Sequence, residues 1–209
     1  MPMVKLPQVR KTIAYRVTEP VVQLLATTPI SPNALTWLGF LLTVGAAVLI
    51  ATGHLLAAGL VVLFAGFFDI LDGALARRTN RTTRFGGILD SVVDRLSEAA
   101  LLLGILVLFL LVEEQSVLFT LLAKKWSILL VGVALLVSPL VSYIRARAEA
   151  MSLECQVGLF TRFERVVVLV LGLLLNQVVI ALAIIVVFSF VTVGQRLVHV
   201  WQQTKKSSF

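Results

Sequence analysis

Charge is scarce in this 209-residue chain. Charged residues make up 14% of it and hydrophobic residues 59%, where soluble domains carry roughly 25% and 45–50%. Mean hydropathy is +1.00. So few polar groups cannot cover a soluble domain, and the solvent for much of the chain must be lipid. Cysteine is nearly absent: Cys155 stands alone, which excludes an intrachain disulfide and with it a disulfide scaffold. No alternation of apolar and polar residues over barrel-strand lengths is found, which argues against a membrane β-barrel. Internal repeats and low-complexity tracts are missing. So is the G-x-x-x-x-G-K loop of soluble phosphate-binding proteins. The basic residues near the start are not followed directly by an apolar run and a small-residue cleavage site, so they do not read as a secretory leader.

What is present is a series of long apolar runs. A lipid-spanning helix needs roughly 20 mostly apolar residues. Six candidates satisfy the pattern, at about 34–52, 55–77, 86–112, 126–147, 160–175 and 178–199. The fold class is therefore an all-α integral membrane protein with six transmembrane helices. Net charge is +7. In a soluble chain that excess would suggest nucleic acid; here it reads as topology, because basic residues collect on the cytoplasmic side. With the N-terminus inside, Lys5 to Arg16, Arg77 to Arg84, Arg145 to Arg165 and Arg196 to Lys206 all fall inside, and only Lys124 and Lys125 outside. The sequence thus predicts a multi-pass protein of the cell membrane with both termini cytoplasmic and no nucleic-acid partner. Ahead of the first span, Ile13, Val17, Val21, Leu24 and Leu25 recur at helical spacing among Arg10, Lys11 and Arg16. This pattern predicts an interfacial amphipathic helix. Residues 1–33 form this cytoplasmic juxtamembrane segment, 34–201 the six-helix domain, and 202–209 a polar tail. Ser31-Pro32-Asn33 supplies turn and cap chemistry before the first span.

Four carboxylates interrupt this apolar text. Asp69 and Asp72 sit in the second predicted span, Asp90 and Asp94 in the third. An ionisable residue inside a membrane segment is costly and points to function. Asp69, Asp72, Gly73, Ala76 and Arg77 share one helical face; Gly86, Asp90 and Asp94 form a second stripe at four-residue steps. Four carboxylates on two adjacent antiparallel helices cannot all ionise without cations. Oxygen ligands alone suit Mg²⁺ or Mn²⁺, with enough carboxylates to bridge two ions, whereas zinc would want His or Cys. A metal cluster of this kind normally meets phosphate, and Arg77 can fork onto phosphate oxygens. Gly73 and Ala76 remove bulk where a ligand approaches.

The segment from Asp69 to Asp94 matches the signature D-x2-D-G-x2-A-R-x8-G-x3-D-x3-D at every specified position. In this it resembles the CDP-alcohol phosphotransferases, a family built on six transmembrane helices with the signature across the second and third. The resemblance implies transfer of a phosphatidyl-type group from a CDP-linked lipid such as CDP-diacylglycerol to a hydroxyl acceptor, with release of CMP. It further implies that Asp69, Asp72 and Asp90 are metal ligands, and that Asp94 both touches metal and acts as general base. By the same resemblance Asp72, Gly73, Ala76, Arg77 and Gly86 belong to the CDP-lipid site. Pro32, Asn33 and Thr36 are similar to the family's N-terminal P-N-x-L-T element near the nucleotide. The resemblance also implies a homodimer.

Three local features bear on the acceptor. Leu89-Asp90-Ser91-Val-Val-Asp94-Arg95 resembles the form common in prokaryotic phosphatidylinositol-phosphate and archaetidylinositol-phosphate synthases. Thr36-Trp37-Leu38-Gly39 lacks the arginine that often follows this threonine in glycerol-phosphate enzymes. Ser142-Tyr143-Ile-Arg145-Ala-Arg147-Ala-Glu149 and the later Glu164-Arg165 resemble elements of the inositol-phosphate enzymes. Physically, Ser142 and Arg145 share a helical face, and Arg162 and Arg165 lie about one turn apart. Together they suit a dianionic phosphate on the acceptor, inositol 1-phosphate. Glycerol 3-phosphate, and hence a phosphatidylglycerolphosphate synthase, is the alternative within the class. A divalent-cation transporter is the alternative outside it, but a stretch such as Leu101 to Leu111 offers no polar relay through the outer half of the membrane. Trp37, Trp126 and Trp201 fall near span ends as interfacial anchors. His54, His199 and Cys155 lie where no catalytic partner is evident.

Overall fold

The structure is a computed structural model and describes residues 19–113 and 122–207. All the regular structure among the described residues is helical. The helices are α1 (Pro32–Ala51), α2 (Leu55–Arg78), α3 (Arg84–Leu111), α4 (Lys124–Ala150), α5 (Arg162–Leu174) and α6 (Val178–Ser207). Their starts and ends follow the apolar runs closely except at the last. There α6 continues past His199 through polar Gln202, Gln203 and Thr204 to Ser207, into the stretch read above as a polar tail. The Gln203 side chain explains part of this: its Nε2 donates to the Glu154 carbonyl at 2.6 Å.

Among the described residues, four helices are long and apolar enough to cross a membrane on their own: α1, α2, α4 and Val178–Lys205 within α6. Of the others, α3 has 28 residues but carries Asp90, Asp94, Arg95 and Glu98. α5 has 13 residues, about 20 Å at 1.5 Å per residue. Burial supports a lipid solvent. Leu41, Phe64, Leu110, Leu136, Leu171 and Phe190, one on each helix, are exposed, while Thr36, Asp72, Glu98, Arg165, Thr192 and Arg196 are buried. A water-soluble protein has the opposite arrangement; in lipid, polar groups turn to the interior to find partners.

The chain divides into two compact units. The first is Met1–Gly45 with Val61–Ser97. Its core joins Val22, Leu35, Leu71, Ala74 and Leu75, flanked by Val21, Leu25, Ala26, Phe67 and Phe68. The juxtamembrane segment is helical over residues 19–26; Arg10, Lys11, Ile13, Arg16 and Val17 lie outside the described residues. Of the expected stripe, Val21 and Leu25 pack on this core. Val22 is buried at 2% exposure and Leu24 is 70% exposed, because Val22, Leu25 and Ala26 are the i, i+3, i+4 set that meets Leu71 and Leu75. Gln23 Nε2 donates to Glu19 at 3.1 Å, and Arg78 pairs with the same carboxylate. Both hold the Glu19 carboxyl below its usual range.

The second unit is Ala46–Leu60 with Glu98–Phe209. Here α6 packs against α4 and α5, burying Val131, Ala134 and Val137 with Leu169, Leu173, Leu182 and Ile185. Gly104 lets two backbones meet: a Cβ there would stand 2.5 Å from the Ala47 carbonyl oxygen. Close approach at small residues is how membrane helices gain packing energy without a hydrophobic drive.

Two helix ends are closed the same way. Asn80 after α2 and Asn176 after α5 adopt left-handed φ of 52° and 56°. Around Asn176, the Gln177 N–H reaches the Gly172 carbonyl at 2.7 Å and the Asn176 N–H the Leu173 carbonyl at 3.3 Å, a Schellman closure. Asn tolerates this region, and a β-branched residue loses roughly 1–2 kcal/mol there. Asn176→Val is therefore expected to lower the apparent melting temperature in detergent, and Asn176→Gly to leave it near wild type. Equal melting temperatures for Val and Asn would contradict the cap's role.

Candidate active site

The signature residues are positioned by a tight connection within the first unit. The α2 terminus closes through Arg81 N–H to the Ala76 carbonyl at 2.9 Å. α3 then starts at once: the Gly86 N–H donates to Thr83 Oγ1 at 2.9 Å, so Thr83 is its N-cap. At the start of α1, the Ala34 N–H donates to Ser31 Oγ at 3.2 Å, the cap that the sequence suggested. These three helix ends bring the motifs together.

Asp69, Asp72 and Asp90 each offer a carboxylate oxygen, and the three oxygens lie within 4.8 Å of one another. Like charges this close repel unless a cation lies among them. An all-oxygen donor set of this size fits a hard divalent ion. Asp94, one turn beyond Asp90 on α3, is half-buried and does not belong to this group of three. Asp72 is 6% exposed, and its orientation is fixed from α1: Thr36 Oγ1 donates to Asp72 Oδ2 at 2.5 Å. A bond of this kind, from outside the ligand set, aims a carboxylate and tunes its affinity for metal.

A cavity of about 200 Å³ adjoins the acids, and all eight positions expected at the CDP-lipid site line it: Pro32, Asn33, Thr36, Asp72, Gly73, Ala76, Arg77 and Gly86. Asp90 lines it too. The glycine at 73 makes room for Arg77, because a Cβ there would stand 3.3 Å from Arg77 Nη1. Thr82, Thr83 and Gly87, absent from the sequence-based set, and Arg81, read there only as a topology signal, line the same cavity. Their place between the halves of the signature was the available signal.

The residues expected to bind the acceptor phosphate belong to the second unit. Ser142 and Arg162 are half-buried. Arg145 is exposed and pairs with Glu149 at 2.8 Å. Arg165 is 1% exposed and forms a two-pronged pair with Glu98, at 2.5 and 2.8 Å. The N-terminus of α5 is closed by a capping box in which the Thr161 N–H donates to Glu164 at 2.8 Å. Arg196, which sequence reasoning took for a topology signal, is buried. Its Nε donates to the Val157 carbonyl at 2.9 Å and its Nη1 to that of Val141. It lies within electrostatic reach of Arg145 and Arg165. Its position between apolar turns of a long helix was the clue.

Residues 29–194 match the model of the CDP-alcohol phosphatidyltransferases. The chain belongs to that family. Among similar phosphatidyltransferases, the archaetidylinositol phosphate synthase of Methanothermobacter thermautotrophicus is 34% identical, over 93% of this chain and 94% of its own length. The phosphatidylinositol phosphate synthase of Mycobacterium marinum is 35% identical, over 95% and 86%. The crystal structure of the Mycobacterium tuberculosis phosphatidylinositol phosphate synthase with CDP-DAG bound superposes with a TM-score of 0.79 at 31% identity, covering 89% of this chain and 94% of that one. The same synthase in complex with manganese and citrate gives a TM-score of 0.78 at 31% identity, covering 88% of each chain. This chain is accordingly an enzyme of the membrane-embedded CDP-alcohol phosphatidyltransferase type.

The Thr36–Asp72 bond has a direct test. Loss of such an orienting partner typically weakens metal affinity by about 10–100-fold. Thr36→Val is expected to do so for Mn²⁺, measured by electron paramagnetic resonance titration, while Thr36→Ser retains wild-type affinity. Unchanged affinity in the valine variant would remove this role from Thr36.

Proposed function

We propose that this phosphatidyltransferase moves the phosphatidyl group of CDP-diacylglycerol onto the hydroxyl of inositol 1-phosphate and releases CMP. The observation that carries the reading is the convergence of Asp69, Asp72 and Asp90 beside a cavity lined by every residue expected at the CDP-lipid site. The CDP-DAG bound to the mycobacterial synthase and the inositol-phosphate activities named for the relatives support the two substrates.

In this reading Asp69, Asp72, Asp90 and Asp94 hold Mg²⁺ or Mn²⁺, two ions in all. The manganese in the relative's structure supports the choice of metal. Metal bound there supplies polarisation of the pyrophosphate and charge neutralisation for the departing CMP. Thr36 keeps Asp72 aimed. Arg77, folded over Gly73, forks onto phosphate oxygens, and Pro32, Asn33, Ala76 and Gly86 shape the nucleotide cavity. Asp94 takes the proton from the acceptor hydroxyl as its oxygen bonds to the lipid-linked phosphorus. The bond from that phosphorus to the CMP oxygen breaks, and CMP leaves. Ser142, Arg145, Arg162 and Arg165 bind the acceptor's phosphate, a role supported by the grouping of Arg145 and Arg165 with Arg196.

The same reading has all six helices crossing the cell membrane. The basic residues favour cytoplasmic termini and an active site open to the cytoplasm. The segments are 1–33, 34–201 and 202–209, and the family resemblance favours a homodimer.

Purified protein supplied with CDP-diacylglycerol, Mn²⁺ or Mg²⁺, and inositol 1-phosphate, glycerol 3-phosphate or free inositol in turn tests this by CMP release. Inositol 1-phosphate is the expected acceptor. Chelation is expected to abolish release and either metal to restore it. Full activity in excess chelator would overturn the metal assignment, and preference for glycerol 3-phosphate would replace the acceptor.

The base has its own test. A general base contributes about 10²–10⁴-fold in rate. Asp94→Asn is expected to lower turnover by that factor while CDP-diacylglycerol still binds. Near-wild-type turnover would place the base elsewhere.

A further inference from the structure

Within the second unit, Glu98 of α3 is 9% exposed and Arg165 of α5 is 1% exposed. Arg165 Nε donates to Glu98 Oε1 at 2.5 Å, and Nη2 donates to Oε2 at 2.8 Å. Parallel bonds of this kind fix the orientation of a guanidinium as well as its position. They occupy one edge of the group. Nη1 lies on the other side; it is buried and has no hydrogen-bond partner among the described residues.

Stability alone accounts poorly for this arrangement. A buried ion pair is often no better than apolar residues of the same volume, and a buried N–H without an acceptor is unfavourable. Arg165, Arg145 and the Glu149 carboxylate all lie within electrostatic reach of Arg196. Arg145 is engaged by Glu149, and Arg196 donates to two backbone carbonyls. A guanidinium held by one edge, with a buried donor left over on the other, has a group to offer an anion.

We propose that Glu98 is a positioning residue for acceptor recognition: it grips the Nε–Nη2 edge of Arg165 so that Nη1 donates to a phosphate oxygen of the acceptor. The proposal rests on the reading of Arg165 as an acceptor-phosphate ligand. Glu98 also offsets the Arg165 charge, which lets that side chain stay buried beside Arg196.

The test uses the full-length enzyme with Mn²⁺, and it measures KM for inositol 1-phosphate and for CDP-diacylglycerol separately, alongside the melting temperature. Glu98→Gln keeps the shape and removes the charge; Arg165→Lys keeps the charge and removes the fork. Each is expected to raise the acceptor KM by about 10–100-fold, the effect of losing one charge-assisted hydrogen bond. The CDP-diacylglycerol KM is expected to change less than about twofold, well under one such bond. Glu98→Asp, which retains the carboxylate, is expected to recover part of the acceptor affinity.

A lower melting temperature with both KM values unchanged would overturn the proposal, as would equal rises for both substrates. Should Glu98→Gln fail to fold, the paired replacement Glu98→Met with Arg165→Met restores an apolar interior. Its acceptor KM is then expected to stay raised, and a normal value overturns the proposal. The underlying reading fails separately: a wild-type enzyme that prefers unphosphorylated inositol removes the acceptor-phosphate site itself. A wild-type enzyme that uses a phosphorylated acceptor, with neutral Glu98 variants, removes only the role of Glu98.

Discussion

An ionised side chain in a helix surrounded by lipid must find its counterpart inside the protein, and much of this molecule's layout follows from that requirement. All four aspartates of the chain lie between residues 69 and 94. Three of them converge, and Thr36 orients the most buried of these. Concentrating the acids makes the repulsion severe enough that, for all of them to stay ionised, a cation must lie among them. The electrostatic cost of burial is thus also what recruits the metal. The arginines of the second unit obey the same rule by other means. Glu98 engages Arg165, Glu149 engages Arg145, and backbone carbonyls engage Arg196.

Helix ends set the precision of the cavity beside the three acids. Ser31, Thr83 and Asn80 are not chemical participants, but each fixes where a run of reactive residues begins or stops. Gly73 serves the same end by omission, since its missing side chain is where Arg77 lies. Groups fixed in this way undergo little reorganisation when a pyrophosphate arrives, and preorganisation of that kind is a principal source of catalytic electrostatics.

The helical fold was readable from sequence because continuous apolar runs have few other interpretations, and the acid stripes because periodicity states which residues share a face. Partners across long sequence separations were not readable. Periodicity gives no indication that Arg165 meets Glu98, 67 residues away, even though Glu98 continues the four-residue spacing of Asp90 and Asp94. Nor does it indicate that Arg196 reaches the carbonyls of Val157 and Val141. Nor does composition show that the polar end of α6 stays helical, since the Gln203 bond to the Glu154 carbonyl is a tertiary feature. In the juxtamembrane helix, periodicity likewise does not indicate that Val22 joins Leu71 and Leu75 in one core.

The contrast between α5 and its neighbour has a consequence for the surrounding lipid. α5 has 13 residues and α6 has 30, so the paired helices measure about 20 Å and 45 Å. The hydrocarbon layer is about 30 Å thick. Val178–Lys205 within α6 is long and apolar enough to span that layer, whereas α5 is shorter than it, so a bilayer that α5 crosses must thin beside it. The polar turn at Asn176 and Gln177 falls where the short arm ends. On the proposed six-span reading, membrane thickness, and with it the acyl-chain length of the host lipids, acts as a mechanical load on the helix that carries Arg162 and Arg165.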